Sequence, residues 1–231
     1  MRGAHFGVSA WAMQKLVDGV HTFRSQSFAT YRALFRRLAE RGQRPETLFI
    51  TCSDSRVVPN LITNTDPGDL FLVRNVGNIV PSVNLPGGTA AALEYAVEVL
   101  GVTDVIVCGH THCGAMQALL DPKSVDRLPL VKRWLAQSDR VRTIVEERYA
   151  HLGPQERLTA AVEENVLVQL ENLRTFDFVA RRLESGALKM NGWVFKIATG
   201  DVFDFDPISG QFVRLASEDR EALSARPPPA T

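Results

Sequence analysis

Two short segments carry most of the chemistry of this 231-residue chain, CSDSR at 52–56 and GHTHC at 109–113. Between them they offer thiols from Cys52 and Cys113 and an imidazole from His110, with Asp54 and Arg56 beside the first thiol. Each segment follows a short run rich in β-branched and aromatic residues, Thr47 to Thr51 and Asp104 to Cys108, bounded by turn formers. Cys52 and the His110/Cys113 pair therefore belong at strand ends. In open α/β sheets ligands gather beyond the carboxyl ends of the strands, near the point where strand order reverses. Two such ends meeting there bring Cys52, His110 and Cys113 together as ligands of a zinc ion. Structural zinc sites are usually closed by four protein ligands, whereas catalytic ones keep a position open, so a set of three favours catalysis; Asp54 is a potential fourth.

Each residue also has a plainer reading. Isolated cysteines near strand ends are usually packing residues, but His110 three positions before Cys113 raises the odds of a ligand set. Cys108 lies inside its apolar strand and reads as core. His112 fits the ligand spacing less well than His110 and reads as a surface residue or a proton-transfer group. A carboxylate two residues from an arginine is commonly a surface ion pair of little energetic value. In a zinc pocket the same pair acquires a specific role. Ionised Asp54 can only accept a hydrogen bond, so it orients a zinc-bound hydroxide, while Arg56 keeps Asp54 anionic and away from the metal. Thiolates give zinc more charge than imidazoles do, so hydrogen bonds to sulfur and the Arg56 charge must compensate.

The elements that position these groups follow from periodicity. Residues 11–41 read as helix, divisible at Ser25-Gln26-Ser27, with Trp11, Leu16, Val20, Phe23, Phe28, Tyr31, Leu34, Phe35 and Leu38 at roughly helical spacing. Strand-like runs at 47–51, 70–74, 104–108 and 193–198 alternate with helical patterns, clearest from Thr89 to Leu100, which predicts an α/β fold with a mostly parallel sheet flanked by helices. The stretch 129–186 is helical, broken at Gly153-Pro154, and Ala225 to Thr231, with three consecutive prolines, reads as a disordered tail. The chain is expected to comprise a helical arm (1–41), a zinc-binding catalytic domain (42–224) and that tail (225–231). The arm's apolar surface is too broad for one side of a monomer's sheet.

Composition excludes more than it selects. Twenty-six basic residues balance 26 acidic ones, so no charge excess points to nucleic acid or anionic lipid. No run reaches membrane-spanning length, and Gln14, Lys15 and Asp18 interrupt the early apolar stretch where a signal peptide would be uninterrupted. Three cysteines, two of them better employed as ligands than as a disulfide, suit a reducing compartment, so a cytoplasmic protein is expected. Without a G-x-G-x-x-G or Walker sequence, Gly77, Gly87 and Gly88 are turn and interface elements and not a phosphate cradle.

The order of the segments resembles the β-class carbonic anhydrases from about Leu16 to about Leu215: RGQRP at 41–45, CSDSRVVPN at 52–60, PGDLFLVRNVGN at 67–78, GGTAAALEYAV at 87–97, CGHTHCGAM at 108–116 and NGWVFKIATG at 191–200. The resemblance implies zinc on Cys52, His110 and Cys113, a catalytic dyad of Asp54 and Arg56, and reversible hydration of carbon dioxide to bicarbonate. It implies Gln43, Phe71, Val76 and Tyr95 around the substrate, with the Gly114 N–H nearby, although periodicity alone would place Phe71, Val76 and Tyr95 in the core. It further implies a homodimer or a multiple of one, with the arm crossing onto a neighbouring subunit. β-Class enzymes come in two kinds, and the kind whose aspartate swings onto zinc uses a tryptophan three residues before the first cysteine ligand. Here that position is Phe49, which has no N–H to offer, and although Arg74 matches that pocket's arginine, the open kind is expected, without cooperative inhibition by bicarbonate. Rival readings are a carbon disulfide or carbonyl sulfide hydrolase on the same fold, and a non-catalytic zinc or bicarbonate-binding protein.

Overall fold

The computed structural model describes residues 10–85 and 87–215, so the tail expected at 225–231 lies outside the described residues. The described residues divide into two compact units, the first ending at Gln43 and the second beginning at Arg44.

In the first unit, α1 (Ala10–Thr22) runs into α2 (Phe28–Arg41) through a π-helical turn at Phe23–Ser27. The division expected at Ser25-Gln26-Ser27 is thus a widened turn that keeps the helical path. Phe23, Phe28, Tyr31 and Phe35 form one aromatic cluster, Phe28 stacked on Phe35 and the other pairs edge-on, with ring centroids 5.8 to 6.4 Å apart. On α1, Met13, Leu16, Val17 and Val20 fall at the spacing of one helical face and are all exposed.

The second unit is built on a six-stranded sheet in the order β2-β1-β3-β4-β5-β6. Its first four strands in chain order, β1 (Thr47–Cys52), β2 (Leu70–Asn75), β3 (Asp104–His110) and β4 (Lys189–Lys196), are parallel. β1 and β3 are covered on both faces, which is why their sequences are continuous apolar runs without alternation. Two further strands, β5 (Asp201–Asp206) and β6 (Gln211–Arg214), add antiparallel to β4. They escape the sequence reading because β5, half-buried along its whole length, mixes acidic with apolar residues (DVFDFD) and lacks the apolar run of the central strands.

Helices fill the connections: α3 (Pro59–Thr63), α4 (Gly88–Glu94) continued by a π-helical turn to Leu100, α5 (Gly114–Leu120), α6 (Pro129–Leu135), α7 (Asp139–Arg148), α8 (Pro154–Arg174) and α9 (Asp177–Glu184). Gly153-Pro154 opens α8: proline takes the first helical position, and the Glu156 carboxylate accepts the Gly153 N–H at 2.9 Å. α8 lies directly on β3 and β4. A Cβ at Gly109 would come within 2.9 Å of Val166 Cγ2, and one at Gly192 within 2.9 Å of Val166 Cγ1. The glycine between Cys108 and His110 is therefore the condition for the helix's close approach, and that approach fixes the strand end bearing His110.

Candidate metal centre

β1 has β2 on one side and β3 on the other, so the chain leaves β1 in one direction and returns in the other; the reversal of strand order falls between β1 and β3. Thr51 registers with Cys108, which sets Cys52 at the end of β1 beside the end of β3, where His110 stands. Beyond His110 the chain turns sharply, with His112 at φ +57°, and delivers Cys113 as the residue before α5. The ligand atoms of Cys52, His110 and Cys113 all lie within 4.8 Å of one another, and all three residues are buried.

The donor set fits a metal ion. His110 Nδ1 is 2.9 Å from the Thr111 carbonyl, which can only accept, so the proton sits on Nδ1 and Nε2 keeps its lone pair. Nε2 is buried and has no hydrogen-bond partner among the described residues. A buried lone pair left over between two sulfurs is a cost in a protein that binds nothing there, and a ligand in one that binds metal. The two thiols are coupled: hydrogen bonding with Cys113, helped by the Gly77 and Asp54 backbone N–H groups, draws Cys52 well below the usual thiol range against the effect of burial. Cys113 is pushed up by the same bond and by burial.

Asp54 stands at the edge of the cluster, its Oδ2 3.9 Å from His110 Nε2, but turned the other way. Arg56 Nε donates to Oδ1 at 2.9 Å, Nη2 donates to Oδ2 at 2.8 Å, and the Arg56 backbone N–H donates to Oδ1 at 3.0 Å. The Arg56 guanidinium holds the Asp54 carboxyl well below the usual carboxylate range. Arg56 Nη2 also donates to the His112 carbonyl at 3.2 Å, so His112 enters the site through its backbone while its side chain is outside the cluster.

Arg74, matched in sequence to the arginine of a second bicarbonate pocket, is occupied with the loop itself. Its Nε donates to the Cys52 carbonyl at 3.2 Å and its Nη2 to the Asp54 carbonyl at 2.8 Å. Phe49 is fully buried and packs edge-on against Trp193, ring centroids 5.9 Å apart. The site has a further group that local spacing does not signal: Gly77 N–H donates to Cys52 Sγ at 3.4 Å. A contact between residues on different strand ends leaves no mark in either segment.

The residues assigned around the substrate do not all converge in one chain. Phe71 and Tyr95 pair, ring centroids 6.0 Å apart. Phe71 registers with Leu48, however, four residues before Cys52, which places it about 13 Å back along the strand from the thiol at ~3.3 Å per residue. Val76 is exposed, adjoins Gly77, and accepts Trp134 Nε1–H at 2.6 Å through its carbonyl. Gly114 opens α5 next to Cys113, and Gln43 falls in the first unit.

Cys108 is fully buried, its thiol pushed up to about 12 by burial, and its carbonyl accepts the Thr51 hydroxyl at 2.9 Å. Cys108→Ser is expected to leave metal content unchanged and to cost about 1–3 kcal/mol of stability, as a hydroxyl enters an apolar site. Metal analysis beside a denaturant melt checks this; a folded variant that has lost its metal would show that Cys108 is the ligand.

Fold and cluster together define a class: a mostly parallel α/β protein with a Cys–His–Cys cluster able to hold a metal ion at the point where its strand order reverses. Comparison with known proteins gives the family. The model of the carbonic anhydrase family matches residues 47–202. A carbonic anhydrase of Pseudomonas aeruginosa is 46% identical over 205 residues, covering 88% of this chain and 92% of that protein. The structure of the β-carbonic anhydrase CcaA is 45% identical with a TM-score of 0.86, covering 88% of this chain and all of that one. One of two tetrameric β-carbonic anhydrases of Sordaria macrospora is 29% identical with a TM-score of 0.75, over 84% of this chain and 96% of the other. The chain therefore belongs to the carbonic anhydrase family, in its β class, and is an enzyme for the hydration of carbon dioxide.

Proposed function

We propose that Cys52, His110 and Cys113 hold one zinc ion per chain and that Asp54 and Arg56 conduct the hydration of carbon dioxide beside it. The observation that carries this reading is the unpartnered, buried Nε2 of His110 between two thiols, with the neighbouring carboxylate turned away onto Arg56. Zinc in an open site supplies Lewis acidity that brings the pKa of a water molecule toward neutrality and so provides the nucleophile. Asp54, ionised and able only to accept, fixes the proton of the attacking oxygen and leaves a lone pair directed at carbon dioxide. Arg56 holds Asp54 in that state and keeps it off the metal position. Bicarbonate then leaves to water, and the proton passes to solvent or buffer.

Carbon dioxide has no hydrogen-bond donor and no net charge, which calls for an apolar recess with one donor. Phe71, Tyr95 and Val76 are proposed as the recess, the Gln43 amide as the donor, and Gly114 N–H as a neighbouring group. Because the Phe71–Tyr95 pair stands well back from its own chain's cluster, a second copy is needed to bring such a pair to the site. The exposed face Met13, Leu16, Val17 and Val20 of α1 gives that copy an apolar surface to cover. A homodimer or a multiple of it is the proposed assembly. Light scattering at assay concentration is expected to report at least a dimer, and a fully active monomer would refute it. The enzyme is further proposed to be of the open kind, cytoplasmic, with hyperbolic inhibition by bicarbonate. No helix among the described residues is long and apolar enough to cross a membrane.

X-ray absorption at the zinc edge tests the site itself. Two sulfurs at about 2.3 Å, one nitrogen and one oxygen at about 2.0–2.2 Å are expected; a closed shell of nitrogen and sulfur with no oxygen would contradict an open site.

A further inference from the structure

Residues 76–80 touch the metal centre at the Gly77 N–H, which donates to Cys52 Sγ. Gly77 adopts φ +84°, and a Cβ there would meet the Ala115 Cβ at 3.0 Å, so the loop sits tight against the start of α5. From the sheet side Asn75 grips Ile79, accepting its N–H and donating to its carbonyl, both at 2.8 Å. From the other side the loop is held by three amides on one face of α8, Asn165, Gln169 and Asn172, spaced i, i+4, i+7. Asn165 Nδ2 donates to the Gly77 carbonyl at 3.0 Å, Gln169 Oε1 accepts the Val80 N–H at 2.9 Å, and Asn172 Nδ2 donates to the Val80 carbonyl at 2.9 Å. The row is also bonded to itself: Gln169 Nε2 donates to Asn165 Oδ1 at 2.9 Å, and Asn172 Nδ2 donates to Gln169 Oε1 at 3.1 Å.

Asn165 and Gln169 are 1% and 0% exposed on a helix that otherwise packs apolar residues against the sheet. Buried amides are costly unless fully paired, and apolar side chains of similar volume would fill the same space. Apart from Ser138 Oγ, at 3.3 Å from Gln169 Nε2, the groups this row serves are the backbone of Gly77 and Val80. We infer that the row Asn165–Gln169–Asn172 is a positioning device for the metal centre: it fixes Gly77 so that its N–H is directed at the Cys52 sulfur and limits the charge that thiolate gives the metal. The inference rests on the reading of Cys52 as a metal ligand. Hydrogen bonds to ligand atoms tune the metal they hold, and with two thiolates in the set, control of sulfur charge is what keeps the site acidic enough to act.

Cobalt(II)-substituted protein gives the test, because its sulfur-to-metal charge-transfer band reports electron density on the thiolates. Asn165→Ala is expected to shift that band to longer wavelength and to move the midpoint of the pH–rate profile upward. Leu173→Ala, buried on the same helix but outside the row, destabilises the fold and leaves both unmoved. If Asn165→Ala does not fold, Asn172→Ala at its half-buried position shows the same shifts at smaller amplitude. A band unmoved in whichever of the two folds, with the wild-type band present, overturns the proposal alone. A wild-type cobalt protein with no thiolate band overturns the Cys52 reading and this proposal with it.

Discussion

Cys52→Ser is expected to empty the metal site and reduce carbon dioxide hydration to background while leaving the fold in place. Serine keeps the shape of the side chain at the end of β1, so backbone pairing with Asn75 on β2 is undisturbed. A hydroxyl, however, does not ionise near neutrality and cannot replace a thiol that its surroundings already hold below the usual thiol range. Apparent zinc affinities of roughly 10–16 kcal/mol for four-ligand structural sites assign about 2.5–4 kcal/mol to each ligand, on the order of a hundredfold to a thousandfold in binding constant. Metal analysis, circular dichroism and a hydration assay on one preparation check this. Full zinc occupancy in the folded variant would sink the ligand assignment.

Arg56→Ala is expected to cost about 10²–10³-fold in hydration rate, the scale of losing one oriented hydrogen-bonding group at a reacting centre. The structure gives the reason: every side-chain bond that turns the Asp54 carboxylate from the cluster comes from Arg56. Asp54 Oδ2 already lies 3.9 Å from His110 Nε2, so once freed of Arg56 the carboxylate is close enough to swing onto the metal, where its oxygen would sit at about 2.0–2.2 Å. A crystal structure of the zinc-loaded variant shows whether it does so, and unchanged turnover would remove the dyad from the mechanism. The pH dependence follows from the same pairing. The Asp54 pKa is depressed on folding, so its contribution is fully present above the unfolded carboxylate value of about 3.9 and is lost only as pH falls through the lower folded value. An activity loss near neutrality therefore belongs to another group.

The chemistry of this chain was legible where sequence neighbours are also spatial neighbours. C-x-D-x-R after one apolar run and H-x-x-C after another were enough to place Cys52, His110 and Cys113 at strand ends, and the reversal of strand order between β1 and β3 brings those ends together. The central strands were readable because burial on both faces forces continuous apolar runs. The β5–β6 hairpin was not, since β5, half-buried between β4 and β6, tolerates Asp201, Asp204 and Asp206 among its apolar residues. Long-range support was also hidden. Arg74 holds the carbonyls of Cys52 and Asp54 from the next strand, and α8 holds Gly77 from 88 residues away. Such bonds need only one amide or guanidinium at the right place, and no periodicity records it. Phe71 and Tyr95 show the opposite difficulty: they are core-like in pattern and adjacent in space, yet a single chain sets them away from the cluster they are proposed to serve.

The most direct test of the account is to strip the protein of metal, restore zinc in steps, and follow carbon dioxide hydration by stopped flow on the same samples. Activity is expected to rise in proportion to zinc and to saturate at one equivalent per chain. Full hydration activity in the stripped protein, or one tightly bound equivalent of zinc with no hydration, would contradict it.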